Sequence, residues 1–412
     1  MATILSPTST AEVREILAWA VSGTVPLAVQ GHGSRDSYGR PVAAQHKLVL
    51  ERLAGIISYE PQELVLTAHA GTTMTEIEAA LAAAGQMLAF EPPDPRFLFG
   101  AATAGTLGGC LSTNLSGPRR VKAGAARDHF VGFQAVSGRA EIFHAGGKVV
   151  KNVTGYDLPK LMAGAFGTLG VLTEVTIRVV PAPADRCTLA TSGLTEEEAG
   201  RALSAALNSP YEVSGAAHLP AAVASRLASG LAGGDSGSLT LVRLEGFPRS
   251  VASRADSLGD LLAAAEGSPP WHAVPPAVAD KAWLAVRDVW PLIGGEAGDD
   301  CLWRIVVPAA AGPGLAAAFG RAVGGRSFFD WGGGLVWLAT AAAVTRDTAG
   351  DLRRAAQTLG GHAALVRAPA DLRRTIPVFQ PEPDGRAALS RRVKSGFDPA
   401  GVLNPGRMVE GA

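Results

Sequence analysis

Two glycine-rich stretches hold the residues best suited to bind a ligand. The first glycine loop runs from Gln30 to Arg35 with the sequence QGHGSR, and the second runs from Gly100 to Gly109 with the sequence GAATAGTLGG. Glycine has no Cβ, so it tolerates positive φ and lets backbone N–H groups come close to a ligand. Successive N–H groups that point into one concavity bind an anion. Two such loops, placed before one long strand, predict a bound dinucleotide with two phosphates.

Neither loop matches a standard nucleotide motif. Gly31-His32-Gly33 does not continue to a third glycine at the Rossmann spacing, and no helix opens directly behind it. The chain also lacks the glycine-lysine-serine/threonine ending of a P-loop, which excludes that motif. Since ordinary tight turns use glycine too, either loop alone is equally consistent with a turn and with a binding site. The two loops together are more specific.

The elements around the loops follow from capping residues and from the spacing of apolar residues. Ser9 to Ser22 begins with a predicted capping box and continues at helical spacing. Val25 to Val29 is a predicted strand that enters the first glycine loop, and Thr73 to Gly85 is a second capped helix. Val171 to Val180 alternates between apolar and polar residues, which predicts a half-buried strand. This mixture of strands and helices indicates an α+β fold.

The chain has 412 residues, too many for one compact core, so we expect two domains. After Pro181 and Pro183 strands and helices alternate, and Phe328 to Thr340 is a predicted pair of strands around a Gly-Gly-Gly turn. That order suggests a ferredoxin-like α+β cap, and the number of strands and helices is sufficient for two units of this kind. The predicted domains are residues 1–183, residues 184–376 and a C-terminal segment, residues 377–412, that returns to the first.

Composition gives no reason to expect a nucleic-acid partner, an anionic membrane or a cysteine-bound metal centre. Lys plus Arg and Asp plus Glu number 37 each, so the charge gives no reason to expect nucleic acid or an anionic membrane as a partner. The three cysteines form no Cys-x-x-Cys pair, so the chain lacks the cysteine spacing that is typical of iron–sulfur and zinc sites. A sparse, odd cysteine count fits a reducing compartment. No signal peptide and no apolar run of about 20 residues is present, so we expect a cytoplasmic chain without a membrane span.

Several segments together resemble the flavin-binding domain of the vanillyl-alcohol-oxidase / p-cresol-methylhydroxylase superfamily. They are Gln30–Gly39, Ala104–Gly117, Lys151–Leu161 (KNVTGYDLPKL), Gly164–Pro181 and the tail Leu403–Arg407. Within the superfamily the chain is similar to the E-subunit family of bacterial glycolate oxidases, which are three-subunit flavin and iron–sulfur enzymes. The resemblance implies an FAD-binding domain of two subdomains, followed by the cap.

The resemblance also implies which residues hold FAD. They are Gly31, His32, Gly33 and Ser34 in the first loop, Gly105, Thr106, Gly108 and Gly109 in the second, Asn114 and Gly117 further along, Gly170 and Val171 at a strand start, and Asn404 in the tail. Several members of the superfamily attach FAD through a histidine directly before the serine of the first loop. Gly33 takes that position here, so we expect non-covalent FAD.

The cap lacks the chemistry of the catalytic relatives. Their caps carry a Gly-Asp-Gly-Asn-Leu-His segment whose histidine helps to bind a metal and the substrate. The segment Trp331–Leu338 (WGGGLVWL) keeps the turn but has neither the acid nor the histidine. We therefore expect no metal, and the sequence identifies no catalytic residue.

These observations lead to three hypotheses about function. The first is an FAD-binding subunit of a glycolate (2-hydroxy acid) oxidase or dehydrogenase complex. It would relay electrons or support the complex beside a catalytic flavoprotein subunit and an iron–sulfur subunit, in the cytoplasm or at the inner membrane through those partners. The second is a free-standing FAD-dependent D-2-hydroxy-acid dehydrogenase that uses Arg304 to clamp the substrate carboxylate. The third is a non-enzymatic scaffold subunit that has lost FAD.

Overall fold

The computed structural model describes residues 3–147, 155–227, 237–264, 269–293, 301–322, 324–340 and 344–411. Contacts divide the chain into two compact units. The first unit consists of Met1–Ser116, Ala125–Ala182 and Arg373–Ala412, and the second of Gly117–Gly124 and Pro183–Leu372. The α+β fold predicted from the sequence is confirmed.

Residues 3–182 contain most of the first unit. The strands are β1 (Thr3–Leu5), β2 (Leu27–Gln30), β3 (His46–Val49), β4 (Ile56–Glu60), β5 (Val65–His69), β6 (Gln86–Met87), β7 (Phe130–Val136), β8 (Ile142–Gly146), β9 (Val171–Arg178) and β10 (Val180–Pro181). The helices are α1 (Thr10–Gly23), α2 (Met74–Ala83), α3 (Pro95–Leu98), α4 (Leu107–Thr113), α5 (Arg120–Ala123), α6 (Ala126–His129) and α7 (Leu158–Met162), with a 3₁₀ turn at Pro61–Glu63.

The first unit is built on two main sheets. One is parallel, with the order β1-β3-β2, and the other is antiparallel, with the order β4-β5-β9-β7-β8. A short antiparallel pair joins β6 and β10. Helix α1 covers the parallel sheet with Val13, Leu17 and Ala20, which belong to one apolar core with Leu27 and Leu403. The C-terminal tail thus completes the core beneath the strand that leads into the first glycine loop.

Helix α1 begins as predicted but with one difference in its cap. The Ser9 hydroxyl accepts a hydrogen bond from the Glu12 N–H at 3.2 Å, which satisfies one free donor of the first turn. The reciprocal bond of a capping box is missing, because the Glu12 carboxylate accepts from the Thr8 N–H at 2.7 Å instead. This contact holds the residue before the cap and lowers the pKa of Glu12.

The remaining elements belong mainly to the second unit. The strands are β11 (Asp185–Ser192), β12 (Gly215–Leu219), β13 (Leu239–Gly246), β14 (His272–Ala273), β15 (Cys301–Val306), β16 (Arg326–Asp330), β17 (Leu335–Thr340) and β18 (His362–Arg367). The helices are α8 (Glu196–Leu207), α9 (Ala221–Ala224), α10 (Pro248–Ala263), α11 (Pro276–Asp288), α12 (Gly312–Ala322), α13 (Arg346–Thr358), α14 (Ala370–Thr375) and α15 (Asp384–Phe397), with 3₁₀ turns at Trp290–Leu292, Ala309–Ala311 and Trp331–Gly333.

The second unit contains two ferredoxin-like halves in one antiparallel sheet. The strand order is β14-β11-β13-β12-β16-β17-β15-β18. Each half has the chain order β-α-β-β-α-β, with the short helix α9 added between β12 and β13 in the first half, and the first and third strands of each half lie at its centre. The halves meet where β12 pairs with β16 at His218 and Phe329. The ferredoxin-like arrangement predicted for the cap is therefore present twice.

No helix within the described ranges combines the length and the apolar character needed to cross a bilayer.

Candidate functional site

A cleft in the first unit brings both glycine loops together. It contains about 690 Å³ of unfilled space, including its open mouth. Its walls come from β2 and the first loop, from the second loop and α4, from the start of β9 and from the tail. The predicted site residues that line it are Gly31, His32, Gly33, Ser34, Thr106, Gly108, Gly109, Gly170 and Asn404. Side chains therefore leave the space between the loops open.

The first glycine loop presents free backbone donors. Within the described part of the chain, no group accepts a hydrogen bond from the N–H groups of residues 31 to 35. Gly33 has φ +67°, a conformation that favours glycine. Two buried side-chain nitrogens nearby, His32 Nδ1 and Arg35 Nε, also have no hydrogen-bond partner among the described residues. Buried donors without partners are rare in folded proteins, and such a group favours an acceptor supplied by a ligand.

The carbonyl groups after this loop are held by two arginines that the sequence analysis did not single out. Arg407 donates to the Arg35 carbonyl at 2.9 Å and to the Asp36 carbonyl at 3.3 Å. Arg373 donates to the Gly39 carbonyl at 2.7 Å. Burial lowers the pKa of Arg407 to about 10, which leaves it charged near neutral pH. The two guanidinium groups thus bind carbonyl groups at and directly after the end of the first loop.

Two amides of the second glycine loop already have acceptors within the protein. The Gly108 N–H donates to the Ala70 carbonyl at 2.9 Å, and the Gly109 N–H donates to the Thr106 hydroxyl at 3.2 Å. A Cβ on Gly108 would lie 2.8 Å from the Ala70 carbonyl oxygen, so glycine is needed there for packing. The amides of Gly108 and Gly109 are therefore not free for an anion, and these two residues give the cleft a glycine surface.

Contact between the two loops depends on Gly31 and Gly105. A Cβ on Gly31 would lie 2.8 Å from Cγ2 of Thr106. Gly105 has φ +78°, and a Cβ there would collide with the Ser34 hydroxyl and lie 2.5 Å from Nη1 of Arg35. Real Cβ atoms do not come this close to other heavy atoms. A side chain at Gly31 would displace Thr106, and one at Gly105 would displace the side chains of Ser34 and Arg35.

Asn404 ties the tail to the entry strand of the first loop. Its Oδ1 accepts from the Val29 N–H at 2.8 Å, and its Nδ2 donates to the Phe166 carbonyl at 2.8 Å. Its own N–H donates to the Leu27 carbonyl at 3.0 Å. Asn404 lines the cleft, but these backbone groups use its polar atoms, so its main effect is to fix β2.

The other predicted site residues lie outside the cleft lining. Val171 is fully buried in the core at the start of β9. Asn114 ends α4 with φ 50°, and its side chain accepts from the Arg127 N–H at 3.0 Å. Gly117 belongs to the second unit. Lys151 and Asn152, in a segment that carried part of the resemblance, lie outside the described residues.

In the second unit the turn of Trp331–Gly333 is built around an aromatic ring. Trp331 has φ 55°, which is uncommon for a bulky residue, and its Nε1 donates to the Gly117 carbonyl at 3.0 Å. The guanidinium groups of Arg120 and Arg304 lie 4.3 Å and 5.3 Å from its ring centre. Cation–π attraction accounts for both positions. In the described ranges no group of three or more His, Cys, Asp or Glu side chains is placed to hold a metal ion.

Comparison with known proteins gives three findings. Residues 1–146 match a family model described as an FAD binding domain. The chain is 33% identical over 393 residues to "Glycolate oxidase subunit GlcE" of Escherichia coli (strain K12), covering 94% of each chain. It is also 31% identical over 187 residues to "Glycolate oxidase subunit GlcD" of Bacillus subtilis (strain 168), covering 45% of this chain and 38% of that one.

Among solved structures, that of p-cresol methylhydroxylase with substrate bound superposes with a TM-score of 0.73 at 14% identity. The match covers 99% of this chain and 88% of the other. At this identity the likeness concerns the fold.

Proposed function

The chain belongs to the family of glycolate oxidase subunit GlcE, and from that premise we propose that it is the FAD-binding subunit of a glycolate oxidase complex. The observation that carries the proposal is the open cleft beside the amides of residues 31 to 35, which find no acceptor in the described part of the chain. A dinucleotide with a diphosphate supplies the acceptors that these donors lack.

The residues that line the cleft fit FAD, and the two glycine loops would contact different sides of its diphosphate. The amides of Gly31, Gly33 and Ser34 would bind the diphosphate, and the glycine surface of the second loop would lie beside it. Bound FAD supplies the acceptance of an electron pair. Because Gly33 stands directly before Ser34, with a hydrogen for a side chain, we propose that FAD is held without a covalent bond.

Electron relay or support of the complex is the proposed role, rather than oxidation of the 2-hydroxy acid by this chain. Its support is the segment Trp331–Leu338, which keeps the turn but has neither the acid nor the histidine of the catalytic relatives. The proposed partners are a catalytic flavoprotein subunit and an iron–sulfur subunit, with glycolate or a similar 2-hydroxy acid as substrate of the whole complex. We propose that the chain lies in the cytoplasm, either free in it or at the inner membrane through those partners.

An absorbance spectrum of the purified chain tests the FAD proposal. We expect flavin bands that disappear from the protein fraction after denaturation and filtration. A colourless chain that does not take up added FAD would refute cofactor binding, and flavin retained on the denatured chain would refute non-covalent attachment.

Anaerobic addition of glycolate or D-lactate tests the division of labour. We expect the flavin of the isolated chain to stay oxidised and to become reduced only in the complex with the catalytic subunit. Bleaching by the isolated chain would show that it oxidises the acid itself, as a free-standing dehydrogenase does.

A further inference from the structure

Arg35 is a buried cation with an incomplete set of partners. Only 8% of the residue is exposed, its Nη1 donates to the Ser34 hydroxyl at 3.2 Å, and its Nε has no hydrogen-bond partner among the described residues. In the described ranges no carboxylate lies within ion-pair distance of it. The carboxylate of Asp94 acts on Arg35 from further away, and it pairs closely with Arg96. A buried charge without a close counter-ion is costly, so a folded protein keeps one mainly where a ligand pairs with it.

The position of this side chain links the two glycine loops. Arg35 lines the cleft at the end of the free-amide run. Its Nη1 lies 2.5 Å from the place that a Cβ of Gly105 would take and 3.7 Å from that of Gly109. Glycine at both positions leaves room for the guanidinium group beside the second loop. The free amides and this cation therefore create one positive region between the loops.

We propose that the guanidinium group of Arg35 binds the diphosphate of FAD. The inference rests on the proposed function and adds to it a charged residue that the resemblance does not assign. Oxidised flavin is neutral and the adenine is neutral, so the diphosphate is the anion of the cofactor. A guanidinium group suits it because its planar set of donors matches phosphate oxygens. Arg35 therefore contributes affinity for FAD at the expense of the stability of the FAD-free chain.

Replacement of Arg35 by glutamine tests this trade-off. We expect R35Q to bind FAD roughly 10- to 100-fold more weakly in a fluorescence titration, the effect of losing one charge-assisted hydrogen bond. The FAD-free variant should melt at or above the wild-type temperature, since the unpaired charge is gone. A residue that only supported the fold would lower both quantities. R35K keeps the charge without the planar donors and should lie between wild type and R35Q.

A matched control uses another buried arginine. Arg353 lies in the second unit, with its guanidinium group 5.1 Å from the ring centre of Trp303, and burial lowers its pKa to about 10. We expect R353Q to change the melting temperature and to leave the affinity for FAD at the wild-type value. Equal losses of affinity in R353Q and R35Q would show a general effect of removing a buried cation, and would overturn the proposal.

Two fragments of FAD, ADP and riboflavin, show which part of the cofactor Arg35 contacts. ADP carries the diphosphate without the flavin, so its competition with FAD should weaken in R35Q by the same factor. Riboflavin carries no phosphate, and its binding should not change. Unchanged FAD and ADP affinity in R35Q, or an equal loss for riboflavin, overturns the Arg35 proposal while leaving FAD binding by the wild type intact. A wild-type chain that binds no FAD overturns the proposed function as well.

Discussion

Replacement of Gly105 by alanine changes stability through two effects, the strain of a positive φ and a collision between the two glycine loops. Comparison with a second glycine of positive φ separates these effects. Gly105 is buried with φ +78°, and its Cβ position overlaps Ser34 and Arg35. Gly85 makes a matched control, because it has φ +66° and is exposed, with nothing within 4 Å of its Cβ position. The two substitutions share the backbone cost, and only G105A adds the collision.

The expected magnitudes follow from these two costs. A left-handed conformation costs an alanine about 1–2 kcal/mol, so G85A should lower the free energy of unfolding by that amount. Overpacking a close contact adds about 1–3 kcal/mol, which makes the expected loss for G105A about 2–5 kcal/mol. Urea denaturation of the FAD-free chains measures both values.

Cofactor affinity gives the sharper comparison between these variants. The collision displaces Ser34 and Arg35, so G105A should bind FAD at least about tenfold more weakly, an effect of about 1.4 kcal/mol. G85A should bind FAD as the wild type does, because its position is open and its side chain meets nothing. Equal FAD affinity in the two variants would refute the conclusion that the loops must touch to form the site.

Three further substitutions test the tail, a buried histidine and the aromatic turn. N404A leaves the Val29 N–H without its acceptor and should lower the free energy of unfolding by about 1–3 kcal/mol in urea. Burial lowers the pKa of His218 from 6.5 to about 3, so stability should fall from pH 6.5 downward by at most about 1.4 kcal/mol per pH unit. Melting curves of H218Q should show a shallower decline. W331F loses the Nε1 bond to Gly117 but keeps a ring for Arg120, and should lose about 1 kcal/mol in urea.

Exposed residues of the same types serve as controls for these three variants. N208A, H272Q and W19F should change stability by no more than about 0.5 kcal/mol, the usual range for surface positions. The sign for His218 follows from its depressed pKa, since the unfolded chain takes up a proton in this range before the folded chain does. A pH dependence in H218Q as steep as in the wild type would assign the decline to other groups. Losses in N404A or W331F no larger than in their controls would contradict the roles given to these side chains.

The elements that the sequence predicted are those whose pattern is local. Helix α1 has a capping serine and apolar residues at helical spacing, and β9 alternates from Val175 onward, so both lie close to their predicted bounds. The prediction that β9 is half-buried is wrong, because residues on both of its faces are buried. Strand β12 was missed for a physical reason. Its sequence GAAHL is buried at every position and contains no residue of strong strand propensity, so neither alternation nor composition marks it.

The sequence predicted the two glycine loops of the candidate site. It did not predict which of their N–H groups are already bonded within the protein. Whether an amide is free depends on acceptors far along the chain, as with Gly108 and the Ala70 carbonyl. The burial of Arg35 likewise depends on packing between the loops. Asn404 was expected at the cofactor, and only the folded chain shows its side chain bound to the backbone at Val29 and Phe166.

The bond between Asn404 and the Val29 backbone joins residues 375 positions apart in the chain. Ribosomes add about 5–20 residues per second, so roughly 20–75 s pass between synthesis of these two residues. During that interval β2 lacks its hydrogen bond to Asn404. The apolar core beside β2 also lacks Val402 and Leu403. Cofactor capture by a nascent chain is therefore postponed until residues 402–404 have been synthesised.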